Sequence, residues 1–201
     1  GEFIVLGDYF INSPVLLEEN TAVSGSGVFT RTIDAISFGS NSAFSLQGNG
    51  NDVAEFQGNI GTTNALTSLT GESSLGQILF TTITQSRTSG NQEFFTATDI
   101  TITDDMTFEG NFMLFQTTIA GSGSLTVEGD SHFPSSFIHS FSSSCTLRGD
   151  SLLDGSLAFC DVLFELDGTT LSGSGTSRNL VFGDPLFGEI IFSPTGCFTV
   201  L

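Results

Sequence analysis

Lysine is absent from the 201 residues of this chain, and positive charge is left to Arg31, Arg87, Arg148 and Arg178. Without lysine there is no Schiff-base nucleophile and no phosphate-loop lysine. Four scattered arginines make no basic patch, so a nucleic-acid partner is excluded. Tryptophan is absent too, and tyrosine occurs once. No apolar run reaches the ~18 residues of a membrane-spanning helix, so membrane insertion is not expected. Cysteine is scarce: Cys145, Cys160 and Cys197 show no metal-ligand spacing, and their odd number denies a complete disulfide framework. Buried free thiols are the simplest reading, with a Cys145–Cys160 bridge as the alternative.

What is present is phenylalanine, 21 residues of it, together with 27 serines, 25 threonines and 24 glycines. The formal net charge of −18 comes from scarce positive charge, because only 13% of residues are charged. A positive mean hydropathy of +0.21 separates the chain from disordered acidic tails and supports a real core. Good helix formers are rare, while Gly, Thr, Ser, Asn and Phe favour strands and turns. Period-two alternation recurs in short segments such as Phe80-Thr81-Thr82-Ile83-Thr84, Ile100-Thr101-Ile102-Thr103 and Leu163-Phe164-Glu165-Leu166.

Turn-rich runs recur between these segments. Val23-Ser24-Gly25-Ser26-Gly27-Val28 is echoed at 120–125 and 171–176, Phe56-Gln57-Gly58-Asn59 at 108–111, and Gly129-Asp130-Ser131 at 149–151. A degenerate period near 20 residues suits one coil of three short strands and three turns. The expected fold is therefore all-β, a right-handed parallel β-helix (β-solenoid) with coils of about 20 residues. Residues 1–201 would form a single elongated solenoid domain or a fragment of one. An antiparallel β-sandwich with hairpin turns is the competing architecture. Inward positions on successive coils align in a solenoid, so phenylalanine rings can stack at the inter-strand spacing of roughly 4.8 Å. A narrow interior offers few partners for a phenol or an indole N–H, which accounts for Phe in place of Tyr and Trp.

The run Gly-Ser-Gly-Ser-Leu-Thr-Val-Glu-Gly-Asp at 121–130 resembles the degenerate repeats of autotransporter passengers and related bacterial adhesins. The Phe-x-Gly-Asn copies at 56–59 and 108–111 are similar to the Phe-x-x-Asn repeats of chlamydial polymorphic membrane proteins, although the accompanying Gly-Gly-Ala-(Ile/Leu/Val) repeats are missing. The resemblance implies a parallel β-helix on a cell or virion surface, serving adhesion or structure.

Candidate chemistry is sparse. Asp99, Asp104 and Asp105 are the catalytic candidates, because β-helix glycosidases use paired aspartates as acid and base. Consecutive aspartates on a strand point to opposite faces, so Asp104 and Asp105 read first as a solvated turn. The Gly-His-Gly and Arg-Ile-Lys motifs of polygalacturonase-like enzymes are absent. Asn51 and Asp52, in Gly48-Asn49-Gly50-Asn51-Asp52, resemble half of the calcium nonapeptide of β-rolls. With one copy only, an isolated turn is the plainer account. His132 and His139 have no cysteine or carboxylate at ligand spacing. Thr82-Ile83-Thr84, Thr96-Ala97-Thr98 and Thr101-Ile102-Thr103 offer hydroxyl rows of the ice-binding kind, but without a fixed period.

The functional expectation is a non-enzymatic extracellular structural or adhesive β-solenoid, without cofactor. It would be a component of a surface fibre, an adhesin passenger or a virion appendage. Its partners would be copies of itself or a longer parent chain, and a host surface protein or glycan. Apolar segments at both ends, Phe3-Ile4-Val5-Leu6 and Cys197-Phe198-Thr199-Val200-Leu201, point to a fragment or to end-to-end stacking. The alternative is a carbohydrate-active or carbohydrate-binding β-helix.

Overall fold

A computed structural model describes residues 2–96, 99–133, 137–141, 144–149, 151–153, 157–159, 163–167, 170–172, 180–182, 189–192 and 197–198. The described residues contain strands and no helix. The chain winds as a β-solenoid whose ladders are parallel, so the antiparallel sandwich is overturned.

Each rung supplies one short strand to each of three faces. The first rung holds β1 (Glu2–Leu6), β2 (Tyr9–Ile11) and β3 (Val15–Leu17), and the second β4 (Asn20–Ser24), β5 (Gly27–Phe29) and β6 (Ile33–Ala35). In the third, β7 (Ala43–Gln47) and β8 (Val53–Phe56) are completed by Ile60, which bridges Ile33 below and Ser86 above. The fourth comprises β9 (Ser68–Gly71), β10 (Gln77–Phe80) and β11 (Gln85–Arg87). Next come β12 (Asn91–Phe94), β13 (Asp99–Ile102), β14 (Met106–Phe115), β15 (Thr118–Gly121) and β16 (Leu125–Phe133). The long β14 and β16 each close one rung and open the next, passing from third face to first without a break. Beyond them lie β17 (Phe137–Phe141), β18 (Ser144–Arg148), β19 (Ser151–Leu153), β20 (Leu157–Phe159) and β21 (Leu163–Asp167). The last described strands are β22 (Thr170–Ser172), β23 (Leu180–Phe182), β24 (Glu189–Phe192) and β25 (Cys197–Phe198). The second face is a single nine-stranded sheet running from β2 to β23.

Alternation dictates which side chains enter the rod. In β8 (Val-Ala-Glu-Phe), β10 (Gln-Ile-Leu-Phe) and β13 (Asp-Ile-Thr-Ile) every second residue is buried, as the pleat requires. Parallel registry then places like positions above one another. Phe29, Phe56 and Phe80 align on the second face, and their rings stack with centroids 5.3 and 5.5 Å apart. Phe80 is followed in that row by Ile102, which ends the stack. A second stack, Phe94–Phe115–Phe133 on the first face, takes over with centroids 5.6 and 5.2 Å apart. Edge-on contacts join the two: Phe108 lies 5.4 Å from Phe80 and 5.5 Å from both Phe94 and Phe115. The expected aromatic core is present, in two offset columns rather than one.

The sequence echoes fare unevenly. Ser131 and Ser151 are register partners, and Gly129 and Gly149 both have positive φ, so that repeat is structural. A Cβ on Gly129 would lie 2.0 Å from the Gly110 carbonyl oxygen, and one on Gly149 would lie 2.6 Å from the Gly129 carbonyl, so only glycine fits this column. The Phe-x-Gly-Asn copies are not equivalent, because Phe56 ends a second-face strand while Phe108 lies on the third face. Nor are the Ser-Gly runs: residues 24–27 join first face to second, and 121–124 join second to third. Similar turn chemistry serves different corners.

Candidate functional site

The outer faces carry the polar side chains, and the clearest cluster surrounds Asp99. β13 begins at Asp99, which follows Gln77 in register and faces outward because Ile100 and Ile102 are buried. Gln77 Nε2 donates to Asp99 Oδ1 at 2.7 Å and to Thr101 Oγ1 at 3.2 Å, and Thr101 Oγ1 donates to Asp99 Oδ2 at 3.3 Å. Oδ1 thus ties rung four to rung five, while Oδ2 is held by Thr101 of the same strand. Asp104 and Asp105 are exposed in the turn after β13, at the strand's far end. A strand rises ~3.3 Å per residue, so roughly 10 Å of β13 separates Asp99 from that turn. Asp105 Oδ1 accepts the Ser124 N–H at 2.9 Å, fastening the corner above. The fold brings none of the three onto a common cleft.

Asn51 and Asp52 occupy a tight turn between β7 and β8. Asp52 Oδ2 accepts from the Asn49 N–H at 2.8 Å and from Asn49 Nδ2 at 2.9 Å, while Oδ1 accepts from Ser26 Oγ at 3.2 Å. The carboxylate therefore closes its own loop and reaches down to the rung below. Among the described residues no group of three or more His, Cys, Asp or Glu is gathered as a metal would need. His132 is half-buried on β16. His139 lies in register with Ile119 and Phe159 on the second face. Cys145 aligns with Leu125 and Phe164, Cys197 with Thr170, and Cys160 lies outside the described residues. Among the described residues, Thr82-Ile83-Thr84 lies outside every strand and joins no threonine row. Thr82 sits at φ 60 in a turn with Ile83 buried beside it, and Ala97 and Thr98 fall outside the described residues.

Sequence reasoning missed the charged ladder on the third face. Arg87, Glu109, Glu128 and Arg148 are successive register partners pointing outward. Arg87 Nε pairs with Glu109 Oε1 at 3.1 Å, and Arg148 pairs with Glu128. Two of the four arginines thus bracket two adjacent glutamates. Only the spacing of 22, 19 and 20 residues hid this arrangement, as 87 to 109, 109 to 128 and 128 to 148 share no period.

Tyr9 stands apart. Its ring lies 5.1 Å from Phe29 at the foot of the first aromatic column, directly over Gly27, where a Cβ would come within 2.1 Å of it. Its hydroxyl is the one buried side-chain polar atom among the described residues without a hydrogen-bond partner. Burial pushes the phenol well above its ordinary range, and the Asp52 carboxylate adds to the push. No protein-family model, no curated protein and no solved structure matches this chain.

Proposed function

We propose that this chain is a non-enzymatic β-solenoid scaffold of a cell or virion surface, a component of a fibre, an adhesin passenger or a virion appendage. One observation carries the reading: Asp99 and Asp105, two of the candidate acids, and Asn59 are spent on cohesion between rungs. Asp99 bonds Gln77, Asp105 holds the Ser124 N–H, and Asn59 Oδ1 accepts the N–H groups of Thr84 at 2.8 Å and Gln85 at 3.2 Å. The polar part of the outer surface is hydroxyls, amides and sparse carboxylates, a chemistry without attraction for anionic membranes or DNA. Assaying the protein against a panel of acidic and neutral polysaccharides tests this directly. Turnover that disappears in Asp99→Asn, Asp104→Asn or Asp105→Asn would replace the scaffold reading with the carbohydrate-active one.

The partner favoured here is a second copy. Ile4, Leu6, Phe10 and Leu16 on the first rung, with Ile36 and Phe38 in the turn after β6, are exposed, Phe38 to 85%. These exposed apolar side chains are spread over all three faces of the first rung and the corner after β6. Phe38 is held at a turn in which the Ser40 N–H donates to the Ser37 carbonyl at 3.2 Å and Gly39 takes φ +80. Each copy carries −18, so association should strengthen as salt screens repulsion. Sedimentation velocity across concentration and ionic strength tests it. Monomers throughout, or association weakened by salt, would remove the self-assembly part.

A further inference from the structure

Inward rows of the solenoid are apolar except at a few positions, and the largest buried polar side chain among the described residues is Gln92, fully excluded from solvent. It occupies a first-face position that Leu69 fills in the rung below and Met113 in the rung above. Beside it on the third face, Ser86 sits in a row whose neighbours are Ile60 and Phe108. Two adjacent core rows therefore turn polar at the same corner, where rung four passes into rung five. Their hydrogen bonding is complete. Ser86 Oγ donates to Gln92 Oε1 at 2.7 Å, and Gln92 Nε2 donates to the Ser86 carbonyl at 3.0 Å and to the Glu109 carbonyl at 2.9 Å. The amide thus clasps the closing strand of rung four to that of rung five.

The corner also marks a change in the winding. In rungs two to four, just below it, register partners lie far apart in sequence: Gly27 aligns with Ala54 27 residues on, and Ile60 with Ser86 26 on, whereas the first rung meets the second 18 on, as Glu2 meets Asn20. Above it, Met106 aligns with Leu125 19 on, and Phe112 with Asp130 18 on. Below, β11 and β12 are separate strands. Above, β14 runs through the corner with a register shift between Glu109 and Phe112, an extra residue that bends the strand. The aromatic columns change faces here as well, from Phe80 to Phe94.

We infer that the Ser86–Gln92 corner is a conformational joint: it divides a wide segment (rungs two to four) from a narrow segment (rungs six and seven), and the two open independently once the Gln92 clasp is released. A rod with such a joint yields at a chosen layer under load or denaturant, instead of unravelling from either side. The inference goes beyond the surface role and stands on the fold alone.

Hydrogen-exchange mass spectrometry of the intact protein in a denaturant series tests it. In the parent protein both segments should lose protection together. Gln92→Leu, which removes the Nε2 bonds across the corner and leaves the buried Ser86 hydroxyl without its Oε1 acceptor, should raise exchange at least tenfold in residues 85–92 and 107–112 and split the loss of protection into two steps. Leu69→Ala, an equally buried change one rung below, should weaken its own segment without splitting the transition. Should Gln92→Leu fail to fold, Gln92→Glu reads the same joint by pH. A carboxyl buried there has a raised pKa, so its folded state is secure in acid and lost as pH rises through that pKa, with the split appearing on the alkaline side. A single uniform transition in the Gln92 variants, or an equal split in Leu69→Ala, overturns the joint.

Discussion

The wide rungs and the narrow rungs both turn on glycine at their corners, but the wide ones add buried aliphatic side chains there. In the wide rungs, loops at the corners send aliphatic side chains inward: Leu66, Leu75 and Ile83 are all fully buried outside any strand. Each such corner is a small satellite of the core and needs extra residues to build. Glycine packs against a neighbouring carbonyl in both, as Gly61 at φ +68 does against Arg87 in a wide corner and Gly121 at φ +150 and Gly129 at φ +131 do against the rung below in narrow ones. The narrow corners turn on backbone alone and take fewer residues. The lesson is that coil length in a solenoid is set at its corners, while the faces keep a constant pleat and a constant stacking distance.

The comparison can be broken hardest at the hand-over between the two segments. Phe94 touches Phe80, Phe108 and Phe115, so Phe94→Ala should cost about 3–5 kcal/mol by equilibrium denaturation and should weaken both segments at once. A loss confined to the narrow rungs would mean that the two aromatic columns are energetically separate. The corners come next. Leu75→Ala should cost about 2–4 kcal/mol through cavity formation in a wide corner. Gly129→Ala should cost about 1–3 kcal/mol through backbone strain in a narrow one. Leu75→Met, a volume-conserving change, should then restore most of the first loss, whereas no substitution restores the second.

Tyr9 gives a gain. Tyr9→Phe removes an unpaired buried hydroxyl and should stabilise the wide rungs by about 1 kcal/mol at neutral pH. The folded phenol titrates above its unfolded value of 10.0, so the parent protein keeps that group's contribution below pH 10 and loses it at higher pH. Alkaline denaturation should therefore steepen above pH 10 in the parent and flatten in Tyr9→Phe. The smallest effect belongs to the ladder. Arg87 and Glu109 are about two-fifths exposed, and Arg87→Ala should cost no more than about 0.5 kcal/mol, an amount that vanishes at high salt.

Much of this architecture was legible in the residues. Short alternating segments such as Gln77–Phe80 and Asp99–Ile102 announce half-buried strands, and the excess of Phe over Tyr and Trp announces a dry, narrow interior. Register was not legible, because partners range from 18 residues apart at Glu2 and Asn20 to 27 at Gly27 and Ala54. Echoes such as Phe56-x-Gly58 and Phe108-x-Gly110 therefore suggested equivalence where the winding puts them on different faces. Gln92 was invisible for another reason: an amide in Asn91-Gln92-Glu93-Phe94 looks like surface, and only the parallel stack turns it inward. The aspartates were found as residues but not as fasteners, since each bonds a partner about 20 residues or more away, Gln77 for Asp99 and Ser26 for Asp52.

The arginine pairs have a practical consequence for how long such a rod survives. Proteases of the trypsin type cut only after lysine or arginine, and these 201 residues offer four such bonds. Arg87 and Arg148 each end a strand in the ladder with the guanidinium engaged by a glutamate, so neither presents the extended, free segment that a protease active site requires. With no lysine amine, the same stretch also gives no lysine foothold for ubiquitin, acetylation or aldehyde crosslinks. Persistence here comes from what the chain refuses to display as much as from what it binds together.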